Sequence, residues 1–318
     1  MGERFIEQII SKQALVDEEN VGMRLDKVAA LLFTDFSRSR LQTWIKNGAL
    51  TVDGCQKSPD YRVHGSEHLC LNAEWVSEGY WLAEKISFGV VYEDDQIIVL
   101  NKPSDLVVHP AVGNWRGTLL NGLLAHCPDL RHLPRGGIVH RLDKDTSGLM
   151  VVAKTSFAHM NLISQLQAKT ACREYLALVR GLVACAGKID QAIGRHPTSR
   201  TKMAVVQGGK PAVTHFSILK RYTECTLLRV RLQTGRTHQI RVHMAHIKHP
   251  IVGDPVYGMN LPSVHIASGA MNTFPRQALH ATTLGIEHPV TKKNMTWNIP
   301  LSEDIETLLC GLEYSCVR

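Results

Sequence analysis

Gly137-Ile138-Val139-His140-Arg141-Leu142-Asp143-Lys144-Asp145-Thr146-Ser147-Gly148-Leu149-Met150-Val151-Val152-Ala153-Lys154 is the stretch from which the rest of the chain can be read. The apolar pair Ile138-Val139 enters a polar and charged segment, and the chain then returns to an apolar run from Leu149 to Ala153. Short apolar runs bounded by glycine read as buried strands. Charge held between two such runs requires a reason, because a buried unpaired charge is costly. Asp145-Thr146-Ser147-Gly148 is accounted for by a tight turn whose side chains hydrogen-bond their own backbone. His140, Arg141 and Asp143 remain, with two readings open: a structural salt bridge, or an active-site loop with Asp143 as its carboxylate.

A chain of 318 residues suits about two domains. Its 44% hydrophobic content supports a sizeable core. The formal net charge of +7 favours an anionic partner, either nucleic acid or an anionic membrane surface. No apolar run reaches the roughly 18 residues that a spanning helix needs. Met1 to Ser11 carries acids beside Arg4 and has no apolar stretch followed by small residues, so no secretory signal is expected and the cytoplasm is the expected compartment. The cysteines at 55, 70, 127, 172, 185, 225, 310 and 316 form no C-x-x-C pair, and reduced thiols are expected.

Residues 1–18 lack periodicity and are expected to fray. Leu25, Val28, Ala29 and Leu32 then form one helical face, and Leu41, Trp44 and Ile45 a second, after the cap Ser37 and before the stop Gly48. Asp53-Gly54 is a hairpin signal. Arg24, Lys27, Arg38, Arg40 and Lys46 lie on the polar faces, as solvated charges or RNA contacts. Residues 76–87 separate two apolar patterns and are read as a linker between domains at 19–75 and 88–318. Strands are expected at 90–92, 97–100, 175–179, 227–232 and 284–286, and helices at 119–124 and 303–309. Phe157, Met160, Ile163 and Leu166 mark another helix. Residues 186–211, with Arg195 and Lys202, read as a basic flexible arm for RNA contact, and 258–276 as an irregular loop. Ile240, Met244 and Ile247 imply a helix begun at a threonine cap.

No phosphate-binding, dinucleotide-binding or nucleophile-elbow glycine motif is present. His238, His243, His246 and His249 lack metal-ligand spacing, so no metal is expected, and they read as polar helix-face residues near RNA.

Asn101-Lys102-Pro103…Val107-Val108-His109-Pro110, His140 to Gly148, Glu174-Tyr175-x-Ala177-x-Val179-x-Gly181 and Thr234-Gly235-Arg236-Thr237-His238-Gln239-Ile240-Arg241-Val242-His243 occur in this order, followed by Asp254-Pro255-x-Tyr257-Gly258. Together they resemble the RluA family of RNA pseudouridine synthases over about residues 88–300. Arg24-Leu25-Asp26-Lys27 and the run from Ser37 to Gly48 resemble the alpha-L RNA-binding domain over roughly 19–75. Asp105 stands where many members have glycine, and Arg173 where many have lysine.

The resemblance implies an α+β chain: a small N-terminal alpha-L domain and a catalytic domain built on a mixed, largely antiparallel sheet with flanking helices. It implies isomerisation of uridine to pseudouridine without cofactor or metal. Asp143 would be the catalytic carboxylate, with Arg236 beside it favouring the ionised form of a group whose reference pKa is near 3.9. Tyr175 would stack on the base and accept the carbon-5 proton, Ile240 would pack near the flipped base, and Arg141 would enter the vacated helix. His140 joins these as a base-binding residue. The Asp105–Pro110 stretch and the Arg195-His196-Pro197-Thr198 arm most resemble the subtype acting on large-subunit (23S) ribosomal RNA or its assembly precursor, in the loop of helix 69. A monomer is expected. Two rivals remain: a non-catalytic RNA-binding ribosome-assembly factor on the same fold, and an RNA methyltransferase, for which no cofactor loop is visible.

Overall fold

The computed structural model describes residues 6–36, 38–76, 81–110, 114–199, 201–258, 271 and 273–315. The chain divides into two compact units, Met1–Tyr80 and Trp81–Arg318. The expected cap at Ser37 and most of the expected loop at 258–276 lie outside the described residues.

The first unit runs β1 (Ile6–Leu15), α1 (Leu25–Leu32), α2 (Arg38–Lys46), β2 (Leu50–Val52) and β3 (His68–Val76). Its antiparallel sheet has the order β1-β3-β2. Leu25, Val28 and Ala29 of α1 and Leu41, Trp44 and Ile45 of α2 are buried in one core with Leu69 and Leu71 of β3. Full burial of each such aliphatic side chain contributes about 1.5–3 kcal/mol relative to exposure. Asp53 and Gly54 both have positive φ, 48° and 75°, as a two-residue type I′ turn requires. The expectation of a frayed N-terminus is corrected, because residues 6–15 pair along β3. That partner follows both helices in sequence, so nothing local to residues 1–18 announces the strand.

The second unit carries β4 (Gly89–Glu93), β5 (Ile97–Lys102), α3 (Leu119–His126), β6 (Ser147–Ala153), α4 (Ser156–Ala168), β7 (Cys172–Arg180), β8 (Gly187–Asp190), β9 (Ile193–Arg195), β10 (Met203–Val205), β11 (Val213–Arg221), β12 (Cys225–Leu232), α5 (Gln239–His246), β13 (Leu279–Glu287), β14 (Asn294–Asn298) and α6 (Glu303–Ser315). The main sheet has the order β4-β5-β6-β13-β7-β12-β11-β8, with β14 also on β13. β6 is buried at every position. Its Met150 and Val152 face the core that holds Leu119 and Leu123 of α3, and its Leu149 and Val151 face the core that holds Ala158 and Leu162 of α4. A strand covered on both faces reads as a continuous apolar run rather than an alternating one.

The pairings of the main sheet are antiparallel except one: β6 meets β13 in parallel, through Ser147↔His280 and Gly148↔Ala281. β14 takes the remainder of that β13 edge, and beyond the junction β6 pairs with β5 and, at Val152, bridges to Ile138. Gly148, with φ 117°, makes the junction possible, since a Cβ there would lie 2.3 Å from Ala281 O. The loop carrying Asp143 leads directly into this junction, beside β7.

Three further expectations change. Residues 81–87 of the expected 76–87 linker pack with the second unit: Trp81 and Ile86 lie on the main core, and Asn121 Nδ2 donates to Leu82 O at 2.8 Å. Within the segment 186–211, read as a flexible arm or loop, the described residues form β8 and the β9–β10 hairpin, with Ile193, Met203 and Val205 packed with Val242 of α5. Their strands are only three or four residues long, too short to show alternation. On α4 the buried residues are Ala158, His159 and Leu162, whereas Phe157 and Met160 are exposed. Helical periodicity shows that a helix forms, not which of two apolar stripes meets the sheet.

Candidate active site

A cavity of about 600 Å³ opens between the loop before β6, the C-terminal end of α4, β7 and the start of α5. Arg135, Arg141, Lys169, Arg173, Arg236 and Arg241 line it, and among the described residues Asp143 is the only carboxylate that does. Tyr175 and Ile240, both nearly fully buried, form part of its wall. Burial pushes the Tyr175 hydroxyl above its ordinary range, with Arg173 opposing and Asp143 reinforcing.

The arginine on Asp143 is Arg241, whose Nη1 donates to Asp143 Oδ2 at 3.0 Å. The expectation that Arg236 holds this position is corrected. Arg236 is exposed at the cavity rim, where its Nε donates to Pro211 O at 3.1 Å. Arg241 also donates to both oxygens of Asp254, from Nε at 2.7 Å and from Nη2 at 2.9 Å. Burial works against the Arg241 charge, but Asp254 and Asp143 overcome it and hold the guanidinium above its ordinary value. Helical placement of Arg241 explains the difference: α5 starts at Gln239, so residue 241 sits in its first turn facing the loop, while residue 236 precedes the helix. The N-cap is His238 in a left-handed conformation, not a threonine. The backbone N–H of Arg236 is satisfied by Gln239 Oε1 at 2.9 Å, which also accepts from Thr234 Oγ1 at 2.8 Å.

Buried side chains hold the Asp143 loop from beneath. Lys102 is fully buried, and its Nζ donates to Pro103 O, Leu106 O and Lys144 O at 2.7–2.8 Å. Burial pulls this ammonium down to about 7, while Asp145 and Asp143 push it up. Three carbonyl acceptors engage all three N–H bonds of the charged form. Arg276 donates to Asp145 O at 3.0 Å and grips Asp304 of α6 through Nε and Nη2, at 2.7 and 2.8 Å. Asp105, the departure from glycine, holds φ 61°, a conformation that favours glycine but that aspartate also adopts.

His140 braces the same loop. Val151 N–H donates to its Nε2 at 3.0 Å, so that nitrogen carries no proton. Burial, reinforced by Arg173, pulls His140 down to about 3. His280 is pulled down to about 4, chiefly by burial, and its Nε2 donates to Pro300 O while Nδ1 faces Ser147 Oγ. Each is neutral in the folded state, whereas an unfolded histidine takes up a proton below about 6.5. The stability they contribute is therefore complete above pH 6.5 and is lost as pH falls toward their folded values. Thermal melting should decline from pH 6.5 to 5, the range in which the unfolded imidazoles take up protons that the folded ones do not. A melting temperature that rises over that acid range would show that these imidazoles do not govern it.

Arg141 is exposed on the cavity, with no hydrogen bond or ion pair among the described residues. Other expected RNA contacts have structural engagements. Arg24 and Arg38 both bind Asp26, which is fully buried, at 3.1 and 2.7 Å. Burial opposes the Asp26 charge, but these arginines and Gln42 hold it well below the usual carboxylate range. Arg40 lies 5.8 Å over the Trp44 ring, and Lys202 Nζ donates to Val256 O at 3.2 Å. Lys27, Lys46 and Arg195 are exposed. His243 is not a surface residue: it is fully buried between Thr214 Oγ1 and Gln191 O. Among the described residues no cluster of three or more metal-ligating side chains is present, and no helix is long and apolar enough to cross a membrane.

Sequence reasoning did not assign roles to Lys102, Arg241, Asp254 or Arg276. The first three lie inside motifs already quoted; Arg276 has no local signal.

Residues 96–246 match the family of RNA pseudouridylate synthases. Over 305 residues the chain is 53% identical to a Pseudomonas aeruginosa protein, with 95% of each chain covered. The chain belongs to the RNA pseudouridylate synthase family. That relative is named ribosomal large subunit pseudouridine synthase D, and a Vibrio vulnificus protein of the same name is 49% identical over 301 residues, 92% of each chain. Among solved structures, human RNA pseudouridylate synthase domain containing 1 matches with a TM-score of 0.53 at 25% identity, covering 72% of this chain and 96% of that one.

Proposed function

We propose that this protein isomerises specific uridines of large-subunit (23S) ribosomal RNA to pseudouridine, in the loop of helix 69, using Asp143 and no cofactor or metal, as a monomer in the cytoplasm. The observation that carries this reading is Asp143 itself, among the described residues the only carboxylate lining a cavity with six cationic side chains. A surface meant solely to bind phosphate gains nothing from a carboxylate held on a buried Arg241–Asp254 pair, which favours the enzyme over a binding-only assembly factor. Relatives named for the large ribosomal subunit support the target.

Arg241 ties down Asp143 Oδ2 and leaves Oδ1 to act on the sugar. Oδ1 either attacks the anomeric carbon or removes the neighbouring sugar proton to give a glycal. Both routes break the bond from N1 to the anomeric carbon. The uracil then rotates, its carbon-5 bonds to the sugar, the carbon-5 proton leaves and N1 gains a proton. The product is an isomer, with no net electron transfer and no added group, so the chemistry requires no redox or carrier cofactor. Tyr175 and Ile240 in the cavity wall support contact with the base, Tyr175 taking the carbon-5 proton and Ile240 packing near the flipped ring. The Met1–Tyr80 unit, with Lys27 and Lys46 exposed, supports recognition of folded RNA.

Mapping of pseudouridines in ribosomal RNA from cells lacking the protein tests the assignment. Loss of pseudouridine in the helix 69 loop, restored by the wild-type protein, is expected; an unchanged 23S map would reject the target.

Arg141 is free to enter the space left by a flipped base. Arg141→Ala should slow single-turnover modification of a hairpin loop by about tenfold or more, because unstacking costs a few kcal/mol there and less in a loose strand. On an unstructured oligonucleotide the loss should be slight. Equal losses on both RNAs would remove the flipping role.

A further inference from the structure

His238 carries an arrangement that neither base stacking nor the Arg241 ion pair uses. It caps α5 with φ 55° and ψ 22°, a conformation uncommon outside glycine, and its side chain is 21% exposed on the cavity wall. Its Nδ1 lies 2.8 Å from the Tyr257 hydroxyl, which accepts the backbone N–H of Met203 at 2.9 Å. A hydroxyl has one proton and two lone pairs. Among the described residues the Tyr257 proton has no acceptor other than His238 Nδ1, so the arrangement that leaves no proton unpaired has Tyr257 donating to Nδ1 and the imidazole proton on Nε2. Nε2 stands 3.9 Å from Asp143 Oδ1, the oxygen that Arg241 leaves open. Burial, with Arg241 and Arg141, holds His238 below its ordinary value against Asp143 and Asp254, in keeping with a single ring proton.

The cavity wall therefore presents an N–H donor and a carboxylate acceptor side by side. They are too far apart to bond to each other. Their spacing suits one substrate group that accepts from Nε2–H while donating to Oδ1. No single polar atom on the uracil edge does both, since its carbonyl oxygens only accept and its N3–H only donates. Within an RNA strand the 3′ and 5′ oxygens are esterified, which leaves the 2′-hydroxyl as the nucleotide's one group that both donates and accepts. That hydroxyl also neighbours the anomeric carbon on which Asp143 acts.

We infer that His238 and Asp143 together hold the 2′-hydroxyl of the target uridine, with His238 as donor, so that His238 selects ribose over deoxyribose. The inference rests on Asp143 being the catalytic carboxylate.

The test uses the full-length protein and a large-subunit hairpin first shown to be modified by the wild type. Synthetic hairpins then carry pseudouridine or 2′-deoxypseudouridine at that position, so that no turnover occurs, and dissociation constants are read by fluorescence anisotropy. The wild type should prefer the ribose form by about tenfold, the scale of hydrogen bonds to one hydroxyl that involve a charged group. His238→Phe should cut the preference by about threefold or more, by losing affinity for the ribose form, with the remainder held by Asp143. Tyr257→Phe, which removes the proton that sets the His238 tautomer, should weaken it partially. No preference in the wild type, or an undiminished one in His238→Phe, overturns the inference. Should His238→Phe fail to fold by thermal melting, an undiminished preference in Tyr257→Phe overturns it instead. A wild type that modifies no large-subunit hairpin rejects the proposed function, and this inference with it.

Discussion

Asp143→Asn should reduce the single-turnover rate at saturating RNA by at least about a thousandfold, with affinity for the RNA within a few-fold of wild type. The substitution keeps the shape of the side chain. Its amide oxygen can still accept from Arg241 Nη1, as the carboxylate does at 3.0 Å, so the loop has no new cavity and no orphaned donor at that point. What it loses is an anionic oxygen able to attack the anomeric carbon or remove a sugar proton. Lys102, Arg276 and His140 hold the loop through Lys144, Asp145 and Val151, and none of those bonds involves the Asp143 side chain. Melting temperature and far-ultraviolet circular dichroism should therefore be close to wild type. Turnover within tenfold of wild type would reject Asp143 as the catalytic carboxylate; a collapse of folding would return it to the structural salt-bridge reading.

Arg241→Met should lower both stability and turnover, by separable amounts. The guanidinium joins two carboxylates: Asp254, whose side chain is fully buried, and Asp143. Removing one partner of a buried pair costs about 3–5 kcal/mol, because the other charge is left uncompensated. Val256 N–H and Tyr257 N–H still reach Asp254 Oδ1, so the loss should fall at the low end of that range. The double variant Arg241→Met with Asp254→Asn removes the orphaned charge and should recover part of the stability. It should recover little turnover, because Asp143 Oδ2 stays untethered and the open oxygen no longer has a fixed direction. Arg241→Lys should behave like Arg241→Met in turnover, since a point charge cannot span two carboxylates as a planar fork does. Equal recovery of stability and turnover in the double variant would make Arg241 purely structural. The parallel changes at Arg236 should leave stability near wild type, as its side chain is exposed and bonded to one carbonyl.

Much of the architecture was legible in the sequence for a local reason. The α1 and α2 faces, the Asp53-Gly54 turn, the β5 and β6 runs and α3 follow from periodicity, turn chemistry and apolar content within a dozen residues. Asp143 stood out because its charge lay between two short apolar runs, of which the structure makes only the second, β6, a strand, Ile138 forming an isolated bridge to Val152; Tyr175 and Ile240 stood out through motif resemblance. What tertiary structure alone decided involves partners far apart in the chain. β1 became a strand because β3 offered it an edge, and the β9–β10 segment became a hairpin because α5 covered it. The choice of Arg241 over Arg236 depended on where α5 starts, a matter of a single residue at the His238 cap. Gly148 looked like a turn residue, but its necessity comes from Ala281 across the parallel junction, 133 positions away. Arg276 acquired its role by lying between Asp145 and Asp304 in space. Sequence patterns record which face of an element is apolar and where the chain can turn; which distant charge meets which is set only when the sheet closes, because only then does burial make an unmatched charge expensive.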